Sequence, residues 1–66
     1  MAEYVRNSVR EFRADAGMTQ DELARAVGVS RQTVIAIEKG NYTPSVLLAL
    51  KIATVFNTKV EKIFSL

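Results

Sequence analysis

The chain has 66 residues, 48% of them hydrophobic, with three glycines, one proline, no cysteine and no histidine. This composition excludes disulfides, thiol and imidazole catalysis, Ser-His-Asp triads and ordinary zinc sites, so we expect neither an enzyme nor a bound metal or cofactor. The net charge of +2 is compatible with nucleic-acid binding if the cations cluster, and a core this small favours dimerisation. Glu11 and Asp15, four residues apart, are interpreted as a solvated helix face rather than a metal or acid/base pair.

The sequence predicts no membrane span and no signal peptide. The uncharged run at residues 41–50 is too short to cross a bilayer and contains Pro44, and the N-terminus has no apolar signal region. We therefore expect a cytoplasmic protein.

The N-terminal third predicts one helix. Met1–Val5 is compatible with either a short strand or a frayed end. From about Asn7 to Ala16, apolar residues such as Val9 and Phe12 recur at helical spacing, and Gly17 ends the run.

Residues 19–40 predict two short helices joined by a tight turn. Thr19 and Glu22 have the spacing of a capping box, in which each side chain satisfies a free backbone N–H at the helix start. Gly28 ends this helix because glycine takes positive φ without steric cost, and Ser30 is a good N-cap for the next one.

The side chain at the crossing of these two helices is small. Ala24 would lie opposite Val34, which permits the close approach that a helix-turn-helix requires. Spacing alone favours this motif, over about residues 20–39, but leaves an ordinary helical hairpin open.

The C-terminal third predicts two more helices. Pro44 stops the preceding helix, and Ser45 or Thr43 caps a fourth helix predicted over Ser45–Phe56. This helix is so apolar that we expect it to be buried on nearly all sides, partly by a second subunit. Thr58 and Glu61 repeat the capping-box spacing and predict a one-turn fifth helix. Residues 1–66 thus predict a single compact all-α domain, with short terminal β-strands as a further option.

Three segments resemble the Cro/cI-type (Xre) helix-turn-helix regulators: MTQDELARAVGVSRQTVIAIEKG, the YTPS loop and LALKIATVF. The similarity covers roughly Val9–Phe64. It implies a five-helix, lambda-repressor-like fold that binds operator DNA as a twofold dimer, mostly to repress transcription. The second helix of the motif would lie in the major groove.

The resemblance also implies which residues contact DNA. Positions similar to base-reading ones are Arg31, Gln32 and Ala36, and positions similar to phosphate-binding ones are Gln20, Ser30, Thr33, Lys39, Asn41 and Tyr42. The chemistry supports the readers, because arginine can form two hydrogen bonds to guanine and glutamine two to adenine, whereas Ala36 offers only a methyl group. Without the motif, Arg31 and Gln32 would be ordinary solubilising residues, and the polar residues at the helix starts need no DNA to explain them.

Two further sets of residues are assigned structural roles. Arg13 and Glu38 match a pair that in this family links the first helix to the end of the third, so we predict a salt bridge between them. The apolar C-terminal residues could fill the monomer core, but we favour a dimer interface made of Leu47, Val55, Val60, Ile63, Phe64 and Leu66. The N-terminal strand is expected to pair with the tail.

The predicted function is a sequence-specific DNA-binding transcriptional regulator, a repressor that binds a palindromic operator as a homodimer. Its half-sites would lie about 34 Å apart, one turn of DNA. No small-molecule effector site is evident in the sequence. Two alternatives remain: an antitoxin that binds a toxin and its own promoter, although we find no toxin-wrapping extension, and a non-specific nucleic-acid binder.

Overall fold

The computed structural model describes residues 4–66, and this part of the chain forms five helices and two short strands. The helices are α1 (Val9–Asp15), α2 (Gln20–Val27), α3 (Arg31–Lys39), α4 (Val46–Val55) and α5 (Val60–Ile63). The strands are β1 (Arg6–Asn7) and β2 (Phe64–Ser65). The predicted five-helix architecture with short terminal strands is confirmed.

The two strands join the ends of the described chain. They pair antiparallel, with Arg6 opposite Ser65 and Asn7 opposite Phe64. The predicted pairing of an N-terminal strand with the tail is therefore present within one chain, but the strand lies after Met1–Val5 rather than within it. Of that segment, residues 1–3 lie outside the described residues.

Helix α1 begins two residues later than predicted. Asn7 belongs to β1, and its side-chain Oδ1 accepts a hydrogen bond from the Val9 backbone N–H at 3.2 Å. This bond satisfies one of the free N–H groups at the helix start. Ser8 takes the N-cap position without a side-chain capping bond.

One hydrophobic core is built from all five helices and β2. Near its edge the rings of Phe12 and Phe56 pack with their centroids 5.7 Å apart. The buried apolar side chains are Val9, Leu23, Ala24, Val27, Val34, Ile37, Leu48, Ala49, Ile52, Ala53, Ile63 and Phe64.

Within its own chain, helix α4 is buried on one face only, and burial of its remaining surface by a second subunit stays a prediction. Its neighbours α2 and α5 cover the face that carries Leu48, Ala49, Ile52 and Ala53. The first two turns leave three large side chains in solvent: Val46 is 77% exposed, Leu47 64% and Leu50 51%. We call these three residues the α4 apolar face.

Two residues assigned to the dimer interface instead belong to the chain's own core. Ile63 is 2% exposed and Phe64 is 9% exposed. Pairing of β2 with β1 holds this segment against the other helices, and so these side chains offer almost no surface to a partner. The interface prediction does not hold for Ile63 and Phe64.

The predicted capping box at α5 is also wrong. The N-cap is Lys59 rather than Thr58, and it makes no side-chain capping bond. Asn57 adopts positive φ, 51°, and the Thr58 backbone N–H then donates to the Ala53 carbonyl at 3.0 Å. Thr58 is thereby part of the turn that closes α4, one residue before the N-cap.

No helix within residues 4–66 has the length and apolar character needed to span a bilayer.

Candidate nucleic-acid interface

The turn between α2 and α3 has the geometry that the sequence predicts. The Thr19 hydroxyl accepts from the Glu22 N–H at 3.0 Å, and the Glu22 carboxylate accepts from the Thr19 N–H at 2.8 Å, which completes the capping box. Gly28 then takes φ of 76°, and the next residue, Val29, donates its N–H to the Ala24 carbonyl at 3.0 Å. A Cβ atom at Gly28 would meet no atom within 4 Å, so the glycine is required by its backbone conformation and not by lack of space.

Helix α3 is anchored through one face and presents the other to solvent. Val34 and Ile37 are buried, and they pack on α2. Because successive helical residues are about 100° apart, the opposite face is centred on Gln32 and Lys39. Ile35 and Ala36 lie beside them and are half-buried. The outer side of this helix therefore carries both polar and apolar side chains.

The two proposed base readers lie in the first turn of α3. Both Arg31 and Gln32 are exposed there. First-turn residues of a recognition helix are well placed to reach base edges. Ala36, one turn later, is half-buried and offers only its methyl group. Base contact by these three residues stays a prediction.

Arg13 and Glu38 form the predicted ion pair, and the pair belongs to a larger network. The Arg13 Nε donates to Glu38 Oε2 at 2.7 Å and its Nη2 to Oε1 at 3.3 Å, while Nη1 donates to the Met18 carbonyl at 2.9 Å. Gln20 Nε2 donates to Glu38 Oε1 at 3.1 Å. The side chain of Glu38 is only 5% exposed and that of Arg13 16%. The network thus joins α1, the start of α2 and the end of α3.

The contacts within this network keep Arg13 and Glu38 in their charged forms. Burial raises the pKa of Glu38, but hydrogen bonds from Arg13 and Gln20, together with the charges of Arg13 and Arg10, outweigh burial and hold that pKa below its usual value. The hydrogen bond to Glu38 raises the pKa of the Arg13 guanidinium further. Both groups are charged at neutral pH, and an ion pair holds the end of α3 against α1.

Several predicted phosphate-binding residues already have partners within the chain. The Ser30 hydroxyl accepts from the Thr33 N–H at 3.2 Å, and the two hydroxyls lie 3.1 Å apart in hydrogen-bond contact. Gln20 donates to Glu38, as described above. These three side chains therefore have structural roles, and their phosphate contacts stay predictions. Lys39, Asn41 and Tyr42 are exposed at the end of α3 and in the loop after it.

A second polar contact to α3 was not predicted from the sequence. The Asn7 side chain donates through Nδ2 to the Ile37 carbonyl at 2.8 Å, while its Oδ1 caps α1. One side chain thus links β1, α1 and the last turn of α3. Asparagine before a helix signals capping, but its reach to a residue 30 positions away has no local signature.

An open groove of about 900 Å³ lies between α1, the start of α2 and α3; we call it the α1–α3 groove. Met18 and Ile35 contribute apolar side chains to its lining. Its lining residues are Arg10, Arg13, Gly17, Met18, Thr19, Gln20, Asp21, Arg31, Ile35, Glu38 and Lys39.

Most of the excess positive charge of the described residues lies in this groove. The chain has nine lysines and arginines against seven aspartates and glutamates. Among residues 4–66, which hold all nine cations and six of the carboxylates, four cations and two carboxylates line the groove, so the rest of the described residues carry five cations and four carboxylates. Cations therefore cluster, as nucleic-acid binding requires, on the side where α3 presents Arg31.

Arg10 and Ile35 belong to this surface but were not predicted from the sequence. The available signal was Arg10 three residues before Arg13, a spacing that places both on one helix face. Ile35 lies four residues after Arg31, a spacing that likewise places both side chains on one face of α3. Neither spacing indicates that the two helix faces meet across a groove.

Known proteins of similar sequence and structure have related architectures. The helix-turn-helix family model matches residues 9–63. An uncharacterised helix-turn-helix-type transcriptional regulator of Archaeoglobus fulgidus is 57% identical over 60 residues, which cover 91% of this chain and 86% of that protein. The cryptic phage CTXphi transcriptional repressor RstR of Vibrio cholerae is 27% identical over 59 residues, 89% of this chain and 53% of that protein.

Among solved structures, the restriction-modification controller protein C.AhdI from Aeromonas hydrophila matches with a TM-score of 0.76. It is 31% identical, and the match covers 82% of each chain.

Proposed function

The chain belongs to the helix-turn-helix family of Cro/cI-type transcriptional regulators, and on that premise we propose that it is a sequence-specific repressor that binds a palindromic operator as a homodimer. The observation that carries the proposal is the position of Arg31 and Gln32. They lie exposed in the first turn of a helix that is anchored through its opposite face, beside a groove lined by four cations and two carboxylates.

The dimensions of α3 suit the major groove. Nine residues make a helix about 14 Å long, and the major groove of B-DNA is about 12 Å wide and accepts a helix. In that position Arg31 would donate two hydrogen bonds to guanine O6 and N7. Gln32 would donate to adenine N7 and accept from adenine N6.

The α1–α3 groove supplies the sequence-independent part of binding. DNA phosphates attract clustered cations, and releasing the condensed counterions makes this attraction strongly dependent on salt. The excess of cations in the groove, four against two carboxylates, directs the positive field toward the reading side.

A homodimer is supported by the α4 apolar face. Val46, Leu47 and Leu50 lie at positions i, i+1 and i+4, and residues 41–50 contain no charged side chain. A twofold contact brings identical residues together, so an uncharged patch can face its own copy without like-charge repulsion.

Repression is the simplest outcome for a small protein that covers DNA. A bound dimer would occupy about two helical turns of promoter and exclude other proteins from them. The similarity to RstR, which is named a transcriptional repressor, supports the same sign of regulation.

Selection of bound genomic fragments with the purified protein tests the base readers. We expect a palindromic consensus, and we expect Arg31→Ala and Gln32→Ala each to relax base preference at one defined position per half-site, at a cost of about 1–3 kcal/mol. The control is Lys51→Ala, an exposed residue of α4 outside the groove. If the reader variants weaken all sequences equally, these residues bind phosphate rather than bases.

Sedimentation at micromolar concentration tests the dimer. We expect Leu47→Lys to give a monomer, because it places a charge at the centre of the α4 apolar face. We place the interface on the α4 apolar face rather than on the tail that the sequence also predicts, so Leu66→Lys, which changes a residue that is 82% exposed at the end of the tail, should leave the dimer intact. The opposite pattern would place the interface at the tail, with Val55 and Val60 as its half-buried neighbours. A monomeric unmodified protein would contradict the homodimer.

A further inference from the structure

We propose that Arg10 is a phosphate-binding residue that completes a track for the backbone of one DNA strand along the α1–α3 groove. The inference rests on the proposed DNA-binding function and goes beyond the reading helix, because it assigns a DNA contact to α1. It adds a binding role for a side chain that no motif in the sequence singles out.

Arg10 and the cations of α3 line the same groove from different elements. Arg10 is an exposed residue of α1, whereas Arg31 and Lys39 lie two turns apart on one side of α3. Thr19 and Gln20 at the start of α2 lie in the groove as well. A strand that follows the groove would therefore meet cations contributed by α1 and by α3.

The other arginine of α1 is committed to the fold. Arg13 uses three of its N–H groups for Glu38 and the Met18 carbonyl. Within residues 4–66, no carboxylate lies within 4.0 Å of the Arg10 guanidinium. The planar guanidinium of Arg10 is thus the one on α1 that is available to grip a phosphate with two hydrogen bonds.

Both carboxylates of the groove have cationic partners. Glu38 is paired with Arg13, and Asp21 is paired with Arg25 at 3.1 Å. Arg10, Arg31 and Lys39 are therefore the groove cations whose charge no short ion pair offsets among the described residues. A duplex carries one negative charge per about 1.7 Å of axis, so several phosphates would lie within reach of three such cations.

A purely structural role for Arg10 predicts a different result. Its charge contributes to holding the pKa of Glu38 low, so Arg10 could act only by stabilising the ion pair. A residue of that kind would change folding stability but would not change how DNA affinity depends on salt. The slope of affinity against salt concentration separates the two roles.

The experiment uses a fluorescent 20-base-pair duplex of arbitrary sequence, because phosphate contacts do not need the operator. Binding is measured by anisotropy for the full chain and for Arg10→Ala, Arg10→Lys and Lys62→Ala from 0.05 to 0.3 M salt. Lys62 is an exposed cation of α5 outside the groove, so its removal changes net charge equally. Circular dichroism establishes that each variant has the wild-type helix content.

We expect the log–log salt slope of Arg10→Ala to be shallower by about 0.9 per bound subunit, which corresponds to about 8-fold weaker binding at 0.1 M salt. Arg10→Lys should keep the slope because it keeps the charge, and Lys62→Ala should match the wild type. Equal slopes for Arg10→Ala and Lys62→Ala would overturn the assignment of Arg10. A wild-type chain without salt-dependent duplex binding would instead contradict the proposed function itself.

Discussion

The variant Glu38→Ala tests whether the ion-pair network holds α3 in place. This carboxylate is 5% exposed and accepts hydrogen bonds from Arg13 and Gln20. In Glu38→Ala the Arg13 guanidinium stays mostly buried and loses its counter-charge, and Gln20 loses an acceptor. Breaking a buried ion pair by removing one partner costs about 3–5 kcal/mol.

The structure places the expected cost somewhat below that range. Arg13 is 16% exposed and keeps its hydrogen bond to the Met18 carbonyl, so we expect a loss of about 2–3 kcal/mol in the free energy of unfolding. A domain of this size has about 3–10 kcal/mol in total. With a urea m-value of about 1 kcal/mol/M, the unfolding midpoint should fall by about 2–3 M.

Urea unfolding followed by far-UV circular dichroism measures this shift. The matched control is Arg25→Ala, which breaks the exposed Arg25–Asp21 pair and should cost less than about 0.5 kcal/mol. The double variant Arg13→Met/Glu38→Leu removes both charges and should recover most of the loss. If Glu38→Ala unfolds at the same urea concentration as Arg25→Ala and keeps its DNA affinity, the network does not fix α3.

Three further outcomes follow from the same contacts. Because the pKa of Glu38 is lower in the folded than in the unfolded chain, the wild-type protein should lose stability as the pH falls below about 4.3. The urea midpoint of Glu38→Gln should therefore depend less on pH between 5 and 3 than that of the wild type. Parallel plots of midpoint against pH for the two proteins would refute this. Ser45→Ala should lower the free energy of unfolding by about 1 kcal/mol, since the Ser45 hydroxyl accepts a hydrogen bond from the Leu48 N–H at 3.1 Å. Lys59→Ala, at an N-cap without a side-chain capping bond, should change that free energy little. Equal losses in the two variants would contradict the capping argument. Asn57→Ala should lower the melting temperature because alanine is strained at φ of 51°, while Asn57→Gly should not; similar melting curves for the two variants would count against that strain.

Local signals predicted the fold where the competing interactions were also local. The capping box at Thr19 and the helix stop at Gly28 depend on atoms a few residues apart, and both are present. The same spacing at Thr58 failed because Asn57 adopts positive φ and commits the next residue to the turn of α4. A capping-box pattern predicts a helix start only when the preceding helix does not use the same residues.

Contacts between distant segments were less accessible to sequence reasoning. The pairing of Arg13 with Glu38 was predicted only through resemblance to a family, because 25 residues separate the two. The α1–α3 groove and the role of Asn7 depend on how helices are placed in space, which helical periodicity does not encode. Apolar periodicity likewise identified Ile63 as a residue to be buried but not whether its own chain or a partner covers it.

The central claim is sequence-specific binding through α3, and a competition titration tests it most directly. A labelled operator from the genomic selection is displaced, at 0.15 M salt, by the same unlabelled site or by a duplex of scrambled sequence. We expect the operator to compete at least about 10³-fold better than the scrambled duplex, and Gln32→Ala to narrow this ratio. Equal competition by the two duplexes would contradict the account and would identify the protein as a non-specific DNA binder.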